Sequence, residues 1–482
     1  MLENLKKIAT DAIEESSEIF CEVSDKIWEY AELSLKEFKS AELYVKVLTE
    51  LGFEVQTNVA DIKTAFLGKA GSGRPYIGIL GEYDALSGLS QAGAATEKCE
   101  VEKGGNGHGC GHNMLGAGAL AAAYGVKKYL EATGKSGTVI FYGTPGEEGG
   151  AGKAFMAKRE LWRELDAALT WHPSDVNEVT TGTCNSCLQV LYKYRGVASH
   201  AAGDPEHGRS ALDAVELMNT GVQYLREHTK DDARIHYAII DGGGFSPNVV
   251  QPTASVLYMV RSKLVRDANA LLKRVDKIAD GAALMTETEY DRVFIDGCSG
   301  TVPNHSLEAL LYKNLCEIGA PEYSDSDWKY ANALKATYDT HGAIPSLAAS
   351  LDTAARDKVS EITSGGARAI NDFIAPLYTG DAFSPGSTDV GDVSWQTPTA
   401  QVYTACFTSG APGHSWQNVS AGKSPIGYKG LILAAKVLAS TAVELFETPA
   451  LIEAAKAEFE KRTKDGYESP IPDGEYAKPV EL

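Results

Sequence analysis

Three short apolar runs in the first third of the chain restrict the fold more than any other feature. "YIGIL" (Tyr76–Leu80) runs into Glu82 and Asp84, "GTVIFYG" runs into "TPGEEGGAG", and "DAALTWHP" closes on His172-Pro173. Runs this short and this apolar suit strands covered on both faces. Between the first two lies an alanine-rich helical stretch that stops at Gly134, where a left-handed residue commonly ends a helix. Strand, loop and helix in alternation imply an α/β layer with a mostly parallel sheet. In open sheets of that kind the chemistry collects beyond the strand ends.

The chain has 482 residues, enough for two or three domains. Residues 1–52 read as two helices, the second ending at Gly52. From about residue 185 the pattern changes. "CLQVLYKYRG" alternates like a half-exposed antiparallel strand, and a β-α-β-β-α order follows. That order predicts a small α+β domain inserted into the first, with a catalytic domain over 1–186 and 301–482 and the insertion over 187–300. The polar, aromatic stretch 320–372 is expected to be a surface excursion rather than a lid, and the tail "SPIPDGEYAKPVEL" is expected to be extended.

Net charge is -20, from 45 basic and 65 acidic residues. This argues against nucleic acid and anionic membrane as partners, because both need a positive surface. No apolar run approaches the ~18 residues a membrane span requires, and the first twenty residues lack a signal core. The eight cysteines are scattered over a long chain rather than spaced as a disulfide framework. A soluble protein of the reducing cytoplasm is expected.

The strand ends gather Glu82, Asp84, Glu147, Glu148 and His172; His414 follows the last predicted strand, "AQVYTACFTS". The loop "GNGHGCGHN" adds His108, Cys110 and His112. Thiolate, imidazole and carboxylate are the donors a borderline divalent cation prefers, and Gly109 and Gly111 let the loop curl so that Cys110 and His112 can face one ion. His108 reads as a histidine outside the ligand set. Adjacent Glu147 and Glu148 can divide the work, one binding metal while the other takes a proton from water and returns it to a leaving amine. A metal-free alternative makes Cys110 a nucleophile with His112 as its base, but it leaves Glu147, Glu148, His172 and His414 without a purpose. "CNSC" (Cys184, Cys187) is expected to be structural.

Several stretches occur together in this order: "WEYAELSLKEFKSAE", "GEYDALSGL", "GCGHN", "GTPGEEGGAGK", "WHP", "ASHAA", "GRSALDAVELMN", "SPNVVQPTA", "YMVR" and "STDVGDVSW". With them the chain resembles the M20 metallopeptidases and amidohydrolases, specifically their cysteine-containing branch, over nearly its whole length. The resemblance implies a metal-dependent exopeptidase-like catalytic domain with an inserted dimerisation domain. It implies a site for two divalent cations, Zn²⁺ or Mn²⁺, held by Cys110, His112, Glu148, His172 and His414. Glu147 would be the general base and Asp84 would orient ligands from behind. His200 would reach a partner subunit's site to steady the oxyanion, while Asn248 and Arg261 would hold the substrate's carboxylate. Asp389 lies in a matching stretch without a role. The activity implied is hydrolysis of an N-acyl or N-aroyl amino acid, p-aminobenzoyl-glutamate first, by a homodimer or a heterodimer with a homologous subunit. A dipeptidase or carboxypeptidase, or a non-catalytic subunit of a hydrolase complex, is the alternative.

Overall fold

The short apolar runs become the centre of a seven-stranded sheet. A computed structural model of the protein describes residues 2–479. Across the sheet the strands run Glu54–Thr57, Phe66–Ser72, Gly137–Gly143, Tyr76–Gly81, Ala167–Ser174, Thr399–Ala405 and Glu178–Val179. The four from Gly137–Gly143 to Thr399–Ala405 are mutually parallel, and the outer strands pair antiparallel. The apolar runs need cover on both faces, and they have it. Helices His112–Thr133 and Pro425–Glu447, both largely buried, pack against one side. Helix Gly152–Lys158 and Trp162 lie in the cluster on the other. Alanines and glycines along His112–Thr133 let that helix sit close to the sheet, where Trp171 Nε1 donates to Leu115 O at 2.9 Å.

The inserted unit is a separate four-stranded antiparallel sheet, ordered Glu289–Cys298, Ser186–Arg195, Thr253–Ser262, Arg234–Asp241. Helices Ala211–Arg226 and Val265–Thr286 pack on it. The chain enters and leaves through neighbouring strands, with Cys187 opposite Cys298 and their sulfurs 3.3 Å apart. Strand Glu289–Cys298 is absent from the sequence-based order, because "EYDRV" is charged and mostly exposed and carries little apolar signal.

Other expectations are corrected. Residues 1–52 form three helices, Leu2–Glu15, Ser17–Tyr30 and Phe38–Glu50; the first break, at Ser16, has no glycine or proline to mark it. Strand Ser186–Arg195 is buried on both faces for most of its length, since sheet neighbours and helices enclose it. Stretch 320–372 is no mere excursion. Ala331 and Leu334 of helix Asp325–Lys335 are buried, and Ser346 and Leu347 line the main cleft. The tail up to residue 479 contains no helix or strand, yet Ile471 is buried and Tyr467 Oη donates to Asp392 Oδ1 at 2.8 Å. Its last three residues lie outside the described range. Among the described residues, no helix is long and apolar enough to cross a membrane.

Candidate active site

Gly111 shapes the centre of the site. Its φ of +82° is a left-handed conformation open to glycine, and an added Cβ would come within 3.0 Å of Phe407. The turn places Cys110 just before helix His112–Thr133 and His112 on its first residue. Gly146, at φ +73°, makes the corresponding turn after strand Gly137–Gly143, and Glu37 fixes it by accepting the Gly146 N–H at 2.8 Å. His172 projects from its strand, and His414 is itself in the left-handed region at φ +50°. A non-glycine residue held there costs about 1–3 kcal/mol, and such strain accumulates at functional sites.

These turns bring the predicted ligands together. Three overlapping groups each have their donor atoms within 4.8 Å of one another: Cys110, His112 and His172; Cys110, Glu148 and His414; and Glu82, His112 and Glu147. Cys110 Sγ lies 3.4 Å from His172 Nε2, and Glu148 Oε2 lies 3.7 Å from His414 Nε2. His112 Nε2 stands 3.3 Å from Glu82 Oε2 and 4.0 Å from Glu148 Oε1. All of these except the buried His112 line one cleft of about 650 Å³.

His112 and His172 are each held through Nδ1, with Nε2 turned inward. His112 Nδ1 bonds Asp84 Oδ1 at 2.8 Å, and His172 Nδ1 donates to Pro173 O at 2.7 Å. Both bonds place a ring proton on Nδ1; at His172 this leaves Nε2 as an acceptor. Burial of the His112 ring is outweighed by Cys110 and Asp84, which hold it well above the ordinary histidine range, so that its Nε2 is freed of a proton by a bound cation. Burial, with His112 adding to it, pushes the His172 imidazole down to about 4, so it is neutral at physiological pH. Asp84 also accepts from Ser34 Oγ and from the Glu148 backbone N–H. Burial works against its charge, but the bond to His112, the His112 charge and the Glu148 N–H and Ser34 bonds together outweigh it, and the carboxyl sits at about 2.

The donor set fits a divalent cation on geometric grounds. His112 Nε2 and Glu148 Oε1 are buried with no hydrogen-bond partner among the described residues, a state that costs about 1–3 kcal/mol per group unless something else satisfies it. Burial pushes the Cys110 thiol up to about 12, so a thiolate there at neutral pH requires a cation beside it. The same shift argues against Cys110 as a free nucleophile.

The structure gathers Cys110, His112, Glu147, Glu148, His172 and His414, with Asp84 behind His112. His108 stays out of the ligand set but is buried, its Nε2 donating to Ile27 O at 3.0 Å. His200 and Asn248 do not join the cluster. Both are exposed and sit together in the inserted unit, where the Ala201 N–H donates to Asn248 O. His200 Nδ1 accepts from the Gly203 N–H at 2.9 Å, so a neutral ring carries its proton on Nε2. Arg261 reaches the cleft at second hand, donating to Ser387 Oγ at 2.8 Å; Ser387 is a lining residue.

Lys153 has no signal in the sequence beyond its place in "GTPGEEGGAGK". It is fully buried and pairs with Glu82 Oε1 at 2.7 Å and Asp389 Oδ1 at 2.6 Å. The ammonium offsets two carboxylates that would otherwise crowd Glu147, whose carboxyl is pushed well up by burial and then by Glu82 and Asp389. Asp389 thereby gains a structural place it lacked in the sequence: it holds Lys153 through both the side chain and the backbone N–H.

Residues 78–419 match the sequence profile of peptidase family M20/M25/M40. Over 473 residues, 98% of both chains, the protein is 43% identical to one of the subunits of p-aminobenzoyl-glutamate hydrolase from Escherichia coli (strain K12). It is 28% identical to a Xaa-Arg dipeptidase of Mus musculus over 96% of this chain and 94% of that one. The fold matches a crystal structure of an aminobenzoyl-glutamate utilization protein from Klebsiella pneumoniae, with a TM-score of 0.59 at 15% identity over 90% of this chain and 97% of that one.

Proposed function

The chain belongs to peptidase family M20/M25/M40, and from that premise we propose that it hydrolyses the amide bond of an N-aroyl amino acid, p-aminobenzoyl-glutamate first. The observation that carries the reading is the convergence of Cys110, His112, Glu148, His172 and His414 around two unsatisfied buried atoms, with Glu147 alongside. The substrate comes from the 43% identical relative, whose name specifies that bond.

Cys110, His112, Glu148, His172 and His414 would hold the cation or cations, two per subunit, with Zn²⁺ favoured by the thiolate and Mn²⁺ open. A divalent cation there polarises the amide carbonyl and acidifies water. Glu147 takes a proton from the attacking water and delivers it to the departing amino nitrogen. Asp84 keeps the His112 lone pair aimed inward. Lys153 keeps Glu82 and Asp389 neutralised so that they do not compete for Glu147's proton. Arg261 and Asn248 bind the amino acid's carboxylate, the guanidinium by its paired donors.

A second subunit completes this arrangement. Strand Arg234–Asp241 is a sheet edge, exposing Tyr237 and Ile239, with Tyr224 and Leu217 on the neighbouring helix and Phe245, 97% exposed, on the next loop. A bare apolar edge is a pairing surface, and isologous pairing closes it. His200, which pairs with Val249 on the loop after this strand, then donates from Nε2 to the oxyanion in the partner's cleft. The Escherichia coli relative is named as one subunit of its hydrolase, which supports a heteromeric alternative. Sedimentation of the purified 51.4 kDa chain is expected to give a dimer mass; a concentration-independent monomer that stays active would remove His200 from the mechanism. Eight free cysteines, two of them facing each other at 3.3 Å, suit a reducing compartment, and we place the protein in the cytoplasm.

The direct test is turnover of p-aminobenzoyl-glutamate, other acyl-glutamates and Xaa-Arg dipeptides by the protein supplied with Zn²⁺ or Mn²⁺. The proposal expects p-aminobenzoyl-glutamate to have the highest kcat/KM. Preferred cleavage of the dipeptides would replace it with the dipeptidase reading. Metal bound without turnover of any substrate, alone or with a homologous partner, would favour a non-catalytic role.

A further inference from the structure

The cleft continues beyond the proposed ligands along a row the sheet register defines. Tyr403 is the Cα partner of His172 on one side and of Glu178 on the other. Adjacent strands lie about 4.8 Å apart, so Glu178 stands roughly 10 Å across the sheet from His172, with Tyr403 between them. Registered neighbours share a face, and all three line the cleft. The Tyr403 ring meets the His172 ring edge-to-face at 5.8 Å and 65°, placing an aromatic surface beside the reaction centre.

Glu178 closes the far end of this row. The residue is 6% exposed. Its Oε2 accepts the Leu347 N–H at 2.9 Å, and the Ser346 side chain also steadies the carboxyl. Leu347 lines the cleft beside it, so the 320–372 stretch both fixes the carboxyl and supplies an apolar wall. A carboxyl offers about four lone-pair sites, so one that takes a backbone N–H and a neighbouring hydroxyl still has room to accept from a ligand in the cleft.

Building on the proposed function, we infer that Tyr403, Leu347 and Glu178 form the subsite for the substrate's acyl group, and that Glu178 accepts a hydrogen bond from an amino group at the far end of an aromatic ring. An aroyl ring with its carbonyl at the ligand cluster lies over Tyr403 and reaches toward Glu178. An aromatic amine is uncharged at neutral pH and donates, so it pairs with a remaining lone pair of the carboxyl whether or not that group is protonated; burial pushes the carboxyl up to about 7, against the pull of the Leu347 N–H and the Ser346 side chain. Asp175, also in the cleft, gives this end an acidic lining that repels acyl groups ending in a carboxylate. An acyl ring with nothing to donate takes the carboxyl's remaining acceptor sites out of solvent without replacing a hydrogen bond, the kind of mismatch by which polar sites reject analogues.

The test is direct binding of simple acids to the metal-loaded full-length protein by calorimetry. The expected result is that 4-aminobenzoate binds at least ~10-fold tighter than 4-methylbenzoate, which has the same shape. Glu178→Met removes the acceptor. Glu178→Gln keeps an oxygen for the Leu347 N–H and presents an amide NH₂ to the ligand. Both are expected to erase the difference. Equal affinities in the unaltered protein, a comparison that needs no variant to fold, would overturn the inference. So would a preference that survives both substitutions. Selective cleavage of arginyl dipeptides that depends on Glu178, with the two benzoates bound alike, would reassign the carboxyl to a cationic side chain and also overturn it. If the benzoates show the Glu178-dependent preference while no acyl-glutamate is hydrolysed, the subsite stands and the proposed reaction falls.

Discussion

Glu147→Gln is expected to lower kcat by about three orders of magnitude, within the ~10²–10⁴-fold range of general acid–base catalysis, while metal content stays at the level of the unaltered protein. The substitution keeps size and hydrogen-bonding capacity but cannot take a proton from water or return one to the leaving nitrogen. Glu147 lies in the group with Glu82 and His112, and its charge is surrounded by that of Glu82, Asp389 and Glu148. Neutralising it relieves repulsion, so the folded state should not suffer. Metal analysis beside steady-state kinetics separates the possible outcomes. Loss of metal together with activity would make Glu147 a ligand, and retained activity would move the proton transfer elsewhere.

The residues legible in the sequence share one property: their position follows from a local pattern. Cys110 and His112 stand between glycines, Glu147 and Glu148 follow an apolar strand, and His172 ends one. A parallel sheet brings such strand ends together whatever the details of its helices, so a fold class and an approximate list of ligands follow from the same few runs. Lys153 and Glu178 are not legible for the opposite reason. Lysine and glutamate are normally exposed, and only pairing across 236 residues with Asp389, or across 169 with Leu347, makes them buried and useful. The 320–372 stretch departs from expectation on similar grounds. Its polar composition describes the surface it shows to water, whereas its contribution to the cleft rests on Ser346 and Leu347 alone among its described residues.

Chelation tests the metal centre itself, and two readouts should move together. Exhaustive treatment with EDTA is expected to abolish turnover, and Zn²⁺ or Mn²⁺ should restore it. The melting temperature is also expected to fall by roughly 3–4 °C, since a ligand at a hundred times its Kd stabilises the folded state by about 2.7 kcal/mol and a unit of about 370 residues has an unfolding entropy of about 0.8 kcal/mol/K. The reason lies in the electrostatics of the stripped site. Glu82, Asp84 and Asp389 are buried and Glu147 and Glu148 adjoin them, while Lys153 is the one ammonium paired within the cluster among the described residues. Without a cation the remaining carboxyls must either repel one another or take up protons, and His112 Nε2 and Glu148 Oε1 lose the partner that satisfied them. Iodoacetamide provides the complementary experiment. With metal in place Cys110 should resist alkylation, and after chelation it should react only slowly at neutral pH, because burial keeps its thiol up at about 12. Activity that survives complete metal removal but is lost on alkylation would reverse the assignment: Cys110 would be the nucleophile with His112 as its base, and the convergence of Glu147, Glu148, His172 and His414 would have no chemical purpose.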